Sequence, residues 1–252
     1  MTTRDHTIDA ILGGALSLVQ PRDGYRFAID SVLLGRFARA RPRDRVLELG
    51  AGCGVIAALI AALQGPREIV AIELQPALAR AAARNAELNR LAAMRVIEAD
   101  LRAPRIAGVA PASFDLIVAN PPYRAAGSGR ESPDLSRRIA RGGAGATLAE
   151  FLAAARRYAV HGGRVAIVFD ATRTAELIAA MAARTLEPKR LRFVHPLPDA
   201  PAASVLVEAR KGGRAAVAIE PPLIVHTRPG VYSDEARALL HNGVARDGDF
   251  ND

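Results

Sequence analysis

Five short apolar runs recur through the middle of the chain, at residues 45–49, 68–72, 94–98, 115–119 and 165–169. Runs of this length, apolar on both sides, read as strands buried between two layers. Stretches 55–63, 75–91 and 147–160 carry helical patterns and read as the crossovers between them. Strands that alternate with helices leave few solutions, and the expectation is a doubly wound, mostly parallel α/β sheet. Two more runs, 190–195 and 204–209, are separated only by 196–203, which is too short for a crossover, so they form an antiparallel pair.

The flanks are less regular. Residues 10–20 alternate weakly around Gly13-Gly14 and suggest a short strand or hairpin arm. Asp30-Ser31 can cap a helix running to about residue 40. His161-Gly162-Gly163 reads as a turn, 171–184 as a helix, 221–226 as a short strand and 233–240 as a short helix. The division is an N-terminal extension, 1–44, packed on a core, 45–211, with a tail, 212–252, all in one structural domain.

The residues that close the strands carry the chemistry, because ligands of open α/β sheets bind beyond the carboxyl ends. The first strand ends in Gly50-Ala51-Gly52-Cys53-Gly54 ahead of an apolar helix. Glycines there let the backbone approach a ligand, and the helix start adds oriented amides. A dinucleotide fingerprint needs glycine at position 55, where this chain has Val55. Glu48, two residues before Gly50, is awkward beside pyrophosphate and comfortable beside the ammonium and sulfonium of S-adenosylmethionine. Glu73, followed by Leu74, closes the second strand and can accept from both ribose hydroxyls. Asp100 follows the third and suits an adenine amino group, with Leu101 offering backbone contacts or an apolar face.

The fourth strand ends in Asn120-Pro121-Pro122-Tyr123. The prolines fix φ and remove two backbone donors. What remains is the amide oxygen of Asn120, the carbonyls of Asn120 and Pro121, and the aromatic face of Tyr123. That set suits a flat group carrying an NH2. Each acid alone is an ordinary strand-end residue; the series at four successive strand ends is far more specific.

Composition narrows the classes. Half of the residues are hydrophobic, enough for a full core, yet no apolar run reaches the ~18 residues of a membrane span. A charged N-terminus without a long apolar segment and a single cysteine, Cys53, fit the reducing cytoplasm. Five scattered histidines and one cysteine make a metal site an unlikely expectation. The net charge is +8, nearly all from arginine, since Lys189 and Lys211 are the only lysines. Such a balance fits a nucleic-acid footprint, although GC-rich coding produces it too.

Residues 48–54, Glu73, Asp100 and Asn120–Tyr123 together resemble the class I S-adenosylmethionine-dependent amino-methyltransferases, over about residues 45–210. The resemblance implies a seven-stranded sheet with an antiparallel last pair, agreeing with 190–209. With 20–27 and Asp30 the chain is similar to the bacterial tRNA adenine-N6 methyltransferases that act beside the anticodon of valine tRNA. This implies S-adenosylmethionine as cofactor, held by Glu48, Gly50, Ala51, Gly52, Gly54, Glu73, Leu74, Asp100, Leu101 and Asn120. It implies Asn120, Pro121 and Tyr123 as catalytic, with the acceptors favouring a pyramidal amine and no metal required. Tyr25, Phe27, Asp30, Pro122 and Tyr123 would line the substrate side. The arginine-rich segment 124–146, with Arg124, Arg137, Arg138 and Arg141, would contact the RNA backbone.

Rival readings are a protein glutamine-N5 or small-molecule methyltransferase, a nucleic-acid-binding module with a vestigial cofactor site, and a dehydrogenase. Only about 45 residues precede the glycine turn, fewer than the helical domain usual in glutamine enzymes. Val55 and Glu48 disfavour the dehydrogenase.

Overall fold

A computed structural model of the chain describes residues 6–21, 29–122 and 145–241. In chain order the first elements are β1 (His6–Ile11), β2 (Leu16–Pro21), α1 (Ile29–Phe37), β3 (Arg45–Leu49), α2 (Val55–Gln64), β4 (Glu68–Glu73), α3 (Pro76–Leu88), β5 (Met94–Glu98) and β6 (Phe114–Ala119). They are followed by α4 (Leu148–Tyr158), β7 (Ala159–Asp170), α5 (Thr174–Ala182), β8 (Leu186–His195) and β9 (Ser204–Lys211). Short strands β10 (Ala218–Ile219), β11 (Leu223–Ile224), β12 (His226–Arg228) and β13 (Val231–Tyr232) precede α6 (Asp234–His241).

The main sheet has the order β10-β8-β9-β7-β6-β3-β4-β5. Strands β5, β4, β3, β6 and β7 are parallel, and β9 runs antiparallel to both β7 and β8. The seven long strands are those read from the sequence. The sheet gains two-residue additions, because β10 and β11 both pair in parallel with β8, making nine strands. The single short strand expected at 221–226 is thus divided between β11 and β12.

Period-two alternation explains the layers. Val46, Ile69, Ala71, Leu116, Val118, Ala166 and Val168 point to one face and pack with Leu33, Leu34, Ile56 and Ile60 of α1 and α2. Leu47, Leu49, Val70, Ile72, Ile117, Ala119, Val165 and Ile167 point to the other face, toward Phe151, Leu152, Leu177 and Met181 of α4 and α5. Glu48 falls on the α1/α2 face in this alternation. The connections reverse at β3, which has β4 on one side and β6 on the other. A crevice for a ligand opens at such a switch point.

Four local readings are corrected. The helix expected to run to residue 160 stops at Tyr158, because Ala159 is extended, with φ −66° and ψ 138°. His161-Gly162-Gly163 is then an out-of-register bulge inside β7: Phe114 pairs with Ala159, but Leu116 pairs with Arg164. The hairpin is larger than 10–20 and begins at His6, with all six residues of β1 paired antiparallel to β2. Finally, the stretch 75–91, with the alanines and arginines of a surface helix, buries Asn85 completely.

Asn85 in the last turn of α3 and Asn89, which caps its C-terminus, act as a substitute strand for β2. The Asn85 amide oxygen accepts from Val19 N at 2.7 Å, and its Nδ2 donates to Val19 O at 3.0 Å. Asn89 repeats the pattern on Ser17, at 2.9 and 2.8 Å. Leu12, Leu16 and Leu18 of the hairpin join the core of the α1/α2 face. Among the described residues no helix is long and apolar enough to cross a membrane.

Candidate active site

The turn after β3 is left-handed at Gly50, Gly52 and Gly54, with φ of 69°, 58° and 77°. Space is tight as well as conformation. A Cβ on Gly50 would lie 3.0 Å from Phe151 Cζ, and one on Gly54 would lie 2.9 Å from Met94 Cε and 3.0 Å from Ala82 Cβ. Gly54 ends the turn as the residue preceding α2.

Two carboxylates hold this turn. Glu73 Oε2 accepts from Gly52 N and Oε1 from Gln75 N, both at 2.8 Å. Each oxygen retains a lone pair for a further donor. Glu73 is buried, and desolvation raises its pKa. Glu48 accepts from Ala57 N of α2 at 2.9 Å. Burial lifts the Glu48 pKa to about 8; the Ala57 hydrogen bond opposes the shift and the neighbouring charge of Glu73 adds to it. Cys53 is fully buried, and its thiol is pushed up to about 12 by burial and then by the charge of Glu48. It is a space-filling thiol and not a nucleophile.

Asn120 closes the site from β6. With Ser31, Glu48, Gly50, Ala51, Cys53, Val55 and Ile56 it lines one small cavity. The ends of β3 and β6 therefore meet at this cavity, whose lining includes neither Glu73 nor Asp100. Asn120 Nδ2 donates to Ser31 Oγ at 3.2 Å. This contact holds the Asn120 side chain against α1 in the cavity wall. Ser31, which sequence reasoning treated only as a helix cap, is the residue it missed. Its one signal was a hydroxyl directly ahead of the apolar run Val32-Leu33-Leu34. Pro121 is buried and Pro122 exposed.

The other candidates are distributed as follows. Leu74, 49% exposed, presents an apolar surface beside Glu73, whereas Leu101 is buried. Asp100 is engaged by Arg102, whose Nη2 lies 2.7 Å from Oδ2 and whose backbone N lies 2.8 Å from Oδ1. That partner holds the Asp100 carboxyl below its usual range. Asp30 Oδ1 accepts from Ser204 Oγ at 2.9 Å, tying α1 to β9. Tyr25, Phe27, Tyr123, Arg124, Arg137, Arg138 and Arg141 lie outside the described residues. Among the described residues no group of three His, Cys, Asp or Glu could hold a metal ion.

The donor set can be tested against a cofactor. Glu73, and Glu48 once a neighbouring cation stabilises its ionised form, repel pyrophosphate and attract a cation. The left-handed glycines, packed against Phe151, Met94 and Ala82, keep the turn free of side chains of its own. Both features fit S-adenosylmethionine, a cation without phosphate.

Comparison with known proteins agrees. The model of the methyltransferase small domain matches residues 29–187. A curated tRNA1(Val) (adenine(37)-N6)-methyltransferase of Aeromonas hydrophila is 31% identical over 216 residues, 84% of this chain and 87% of the relative. The enzyme of that name from Parabacteroides distasonis is 30% identical over 180 residues, 71% and 74% of the two chains. The crystal structure of a predicted O-methyltransferase from Agrobacterium tumefaciens is similar with a TM-score of 0.67 at 27% identity, over 83% of this chain and 94% of that one.

Proposed function

This chain belongs to the methyltransferase small domain family, and from that premise we propose that it methylates the N6 amino group of an adenine in tRNA. The observation that carries the reading is the shared cavity of Asn120 and the glycine turn. Two curated relatives act on that atom in tRNA1(Val) by name.

S-adenosylmethionine supplies an activated methyl group, so the protein need provide no strong base. In this reading Glu48 faces the cation of the cofactor, Glu73 takes the ribose hydroxyls, and Leu74 and Leu101 flank the base. Gly50, Ala51, Gly52 and Gly54 form the bed of the site. Asp100 reaches the adenine amino group only by sharing its carboxylate with Arg102.

Asn120 and Pro121 act on the acceptor. The Asn120 amide oxygen and the Pro121 carbonyl accept its two N–H groups, which draws the lone pair out of conjugation. They bind better as positive charge develops on that nitrogen, so the stabilisation is differential. Ser31 holds the Asn120 side chain in place at the cavity. Pro122 and Tyr123 would provide a stacking surface for a base taken out of its helix. Tyr25, Phe27 and Asp30, and the arginines at 124, 137, 138 and 141, are the proposed remainder of the RNA contact.

The test is transfer of labelled methyl to fractionated RNA, with total protein as the control acceptor. Asn120→Ala should lose about 10²–10³ in kcat, as removal of one preorganised polar group does, while the Kd for S-adenosylmethionine stays within twofold. Full activity in Asn120→Ala, or label entering protein alone, refutes the reading.

A further inference from the structure

Several of the described arginines are paired with carboxylates in place. Arg45 and Arg95 share Glu68, Arg164 pairs with Asp44, Arg190 with Glu208 and Glu220, Arg173 with Glu176, and Arg192 with Glu235. One region instead gathers several cations around a single depression. At the amino edge of the sheet, where β7 and β8 begin and β9 ends, His161, Gly162, Lys189, Arg210, Gly212, Gly213 and Arg214 enclose a shallow basin of about 450 Å3.

The cations around this basin have no carboxylate partner among the described residues. Lys189 Nζ donates to the carbonyls of Arg214 and Ala216. Arg210 Nε donates to Gly162 O at 3.0 Å, and Lys211 Nζ to Ala159 O at 2.7 Å. Arg156, at the end of α4, reaches Thr185 Oγ1 at 3.3 Å. Glu187 lies opposite Arg210 in register, yet forms no ion pair with it. Carbonyls orient these cations and leave their charge uncompensated. The Lys211 pKa is lowered by burial and then by Arg156, as expected where like charges crowd.

Glycines bring the groups together. A Cβ on Gly213 would lie 2.9 Å from Lys189 Cε, and one on Gly212 would lie 2.6 Å from His161 Cε1. His161-Gly162-Gly163-Arg164 and Lys211-Gly212-Gly213-Arg214 are thus two basic turns packed against each other. One is the bulge of β7 and the other ends β9.

We propose that this basin is a second binding surface that grips the phosphodiester backbone of the RNA, away from the methyl-transfer site. The inference rests on the reading of RNA as substrate. A shallow, open basin with arginine, lysine and no aromatic ring other than His161 contacts phosphate without reading bases. Arg210 lies four residues along the strands and two strands across from the level of Asn120, which is about 15–20 Å. That exceeds the Debye length of ~8 Å at physiological salt. The cations therefore act by touching RNA and not by their field at the cavity.

The experiment compares full-length wild type with the triple variant Lys189→Gln, Arg210→Gln, Arg214→Gln. Its charge-preserving control is Lys189→Arg, Arg210→Lys, Arg214→Lys. Affinity for tRNA is measured against salt concentration. Removing three phosphate contacts should reduce the slope of log K against log salt by about 2–3 and weaken binding at 0.15 M salt by about 30–100-fold. The KM for tRNA should rise while kcat at saturation and the Kd for S-adenosylmethionine hold, and the charge-preserving control should behave as wild type. An unchanged slope with intact methylation overturns the surface and leaves the function standing. A wild type that binds and methylates no tRNA overturns both. Salt-dependent binding to vesicles of anionic phospholipid in place of tRNA, lost in the triple variant, overturns the RNA assignment.

Discussion

Glu48→Gln should separate what the fold wants at position 48 from what the ligand wants. The side chain is 1% exposed and its carboxyl titrates near about 8. An acid whose folded pKa lies above its unfolded value binds more protons when folded. Stability is then fully present below the unfolded pKa and is lost as pH rises toward the folded one. Here the window runs from the ordinary 4.5 to about 8. The limiting slope is about 1.4 kcal/mol per pH unit, so between about pH 5 and pH 8 the loss sums to about 3 kcal/mol. Glutamine keeps an acceptor for Ala57 N and cannot ionise, so the variant should escape that loss. Glu73, raised by the same burial, adds a slope of the same sign that both proteins share, and the comparison cancels it.

The assay is urea or thermal unfolding of both proteins at several pH values without cofactor. The two should converge near pH 5, and the variant should be the more stable by about 3 kcal/mol near pH 8, or about 6–12 °C in Tm for a chain of this size. Calorimetry supplies the second half. Affinity of the wild type for S-adenosylmethionine should climb with pH toward 8, with a proton released on binding. In Glu48→Gln it should be weaker and flat. A stability difference that does not vary with pH would refute the argument that burial keeps this carboxyl protonated.

Three further perturbations follow from the packing. Asn85→Ala strands Val19 N, Val19 O and Cys53 O, which the side chain now satisfies at 2.7, 3.0 and 2.9 Å. A loss of about 2–5 kcal/mol in urea unfolding is expected, with faster hydrogen exchange at Val19; retention within 1 kcal/mol would contradict the substitute-strand role. Gly54→Ala sets a Cβ against Met94 and Ala82 at a left-handed φ, so S-adenosylmethionine affinity should fall at least tenfold by calorimetry. Tyr158→Phe removes a buried hydroxyl that has no hydrogen-bond partner, and its unfolding free energy should be unchanged or raised by about 1 kcal/mol.

The parts of this fold legible in the sequence were those encoded locally. The strand runs are continuous and apolar because both faces of the sheet are covered. The glycine turn and the strand-end acids stand beside them in the chain. Residues 159–163 were misread because helical periodicity in α4 continues smoothly into a strand with a bulge. The role of Asn85 was invisible for a different reason. Its partners, Val19 and Cys53, are distant in sequence, so an asparagine there looks like any polar residue on a helix. Ser31 beside Asn120 is hidden in the same way, by a separation of 89 residues.

These hidden contacts share a direction. Asn85 joins the N-terminal hairpin to the glycine turn through Cys53 O, and Ser31 joins α1 to the turn after β6. Asp30, adjacent to Ser31, binds Ser204 on β9. The residues ahead of β3 therefore do more than cover a face of the core. They connect to both sides of the cavity, one through the glycine turn and one through the Asn120 amide. A chain cut at residue 44 would keep the strand-end acids and the sheet. It would lose the hydroxyl that holds Asn120 and the strand that engages Asn85, so it should bind cofactor weakly and transfer methyl groups poorly.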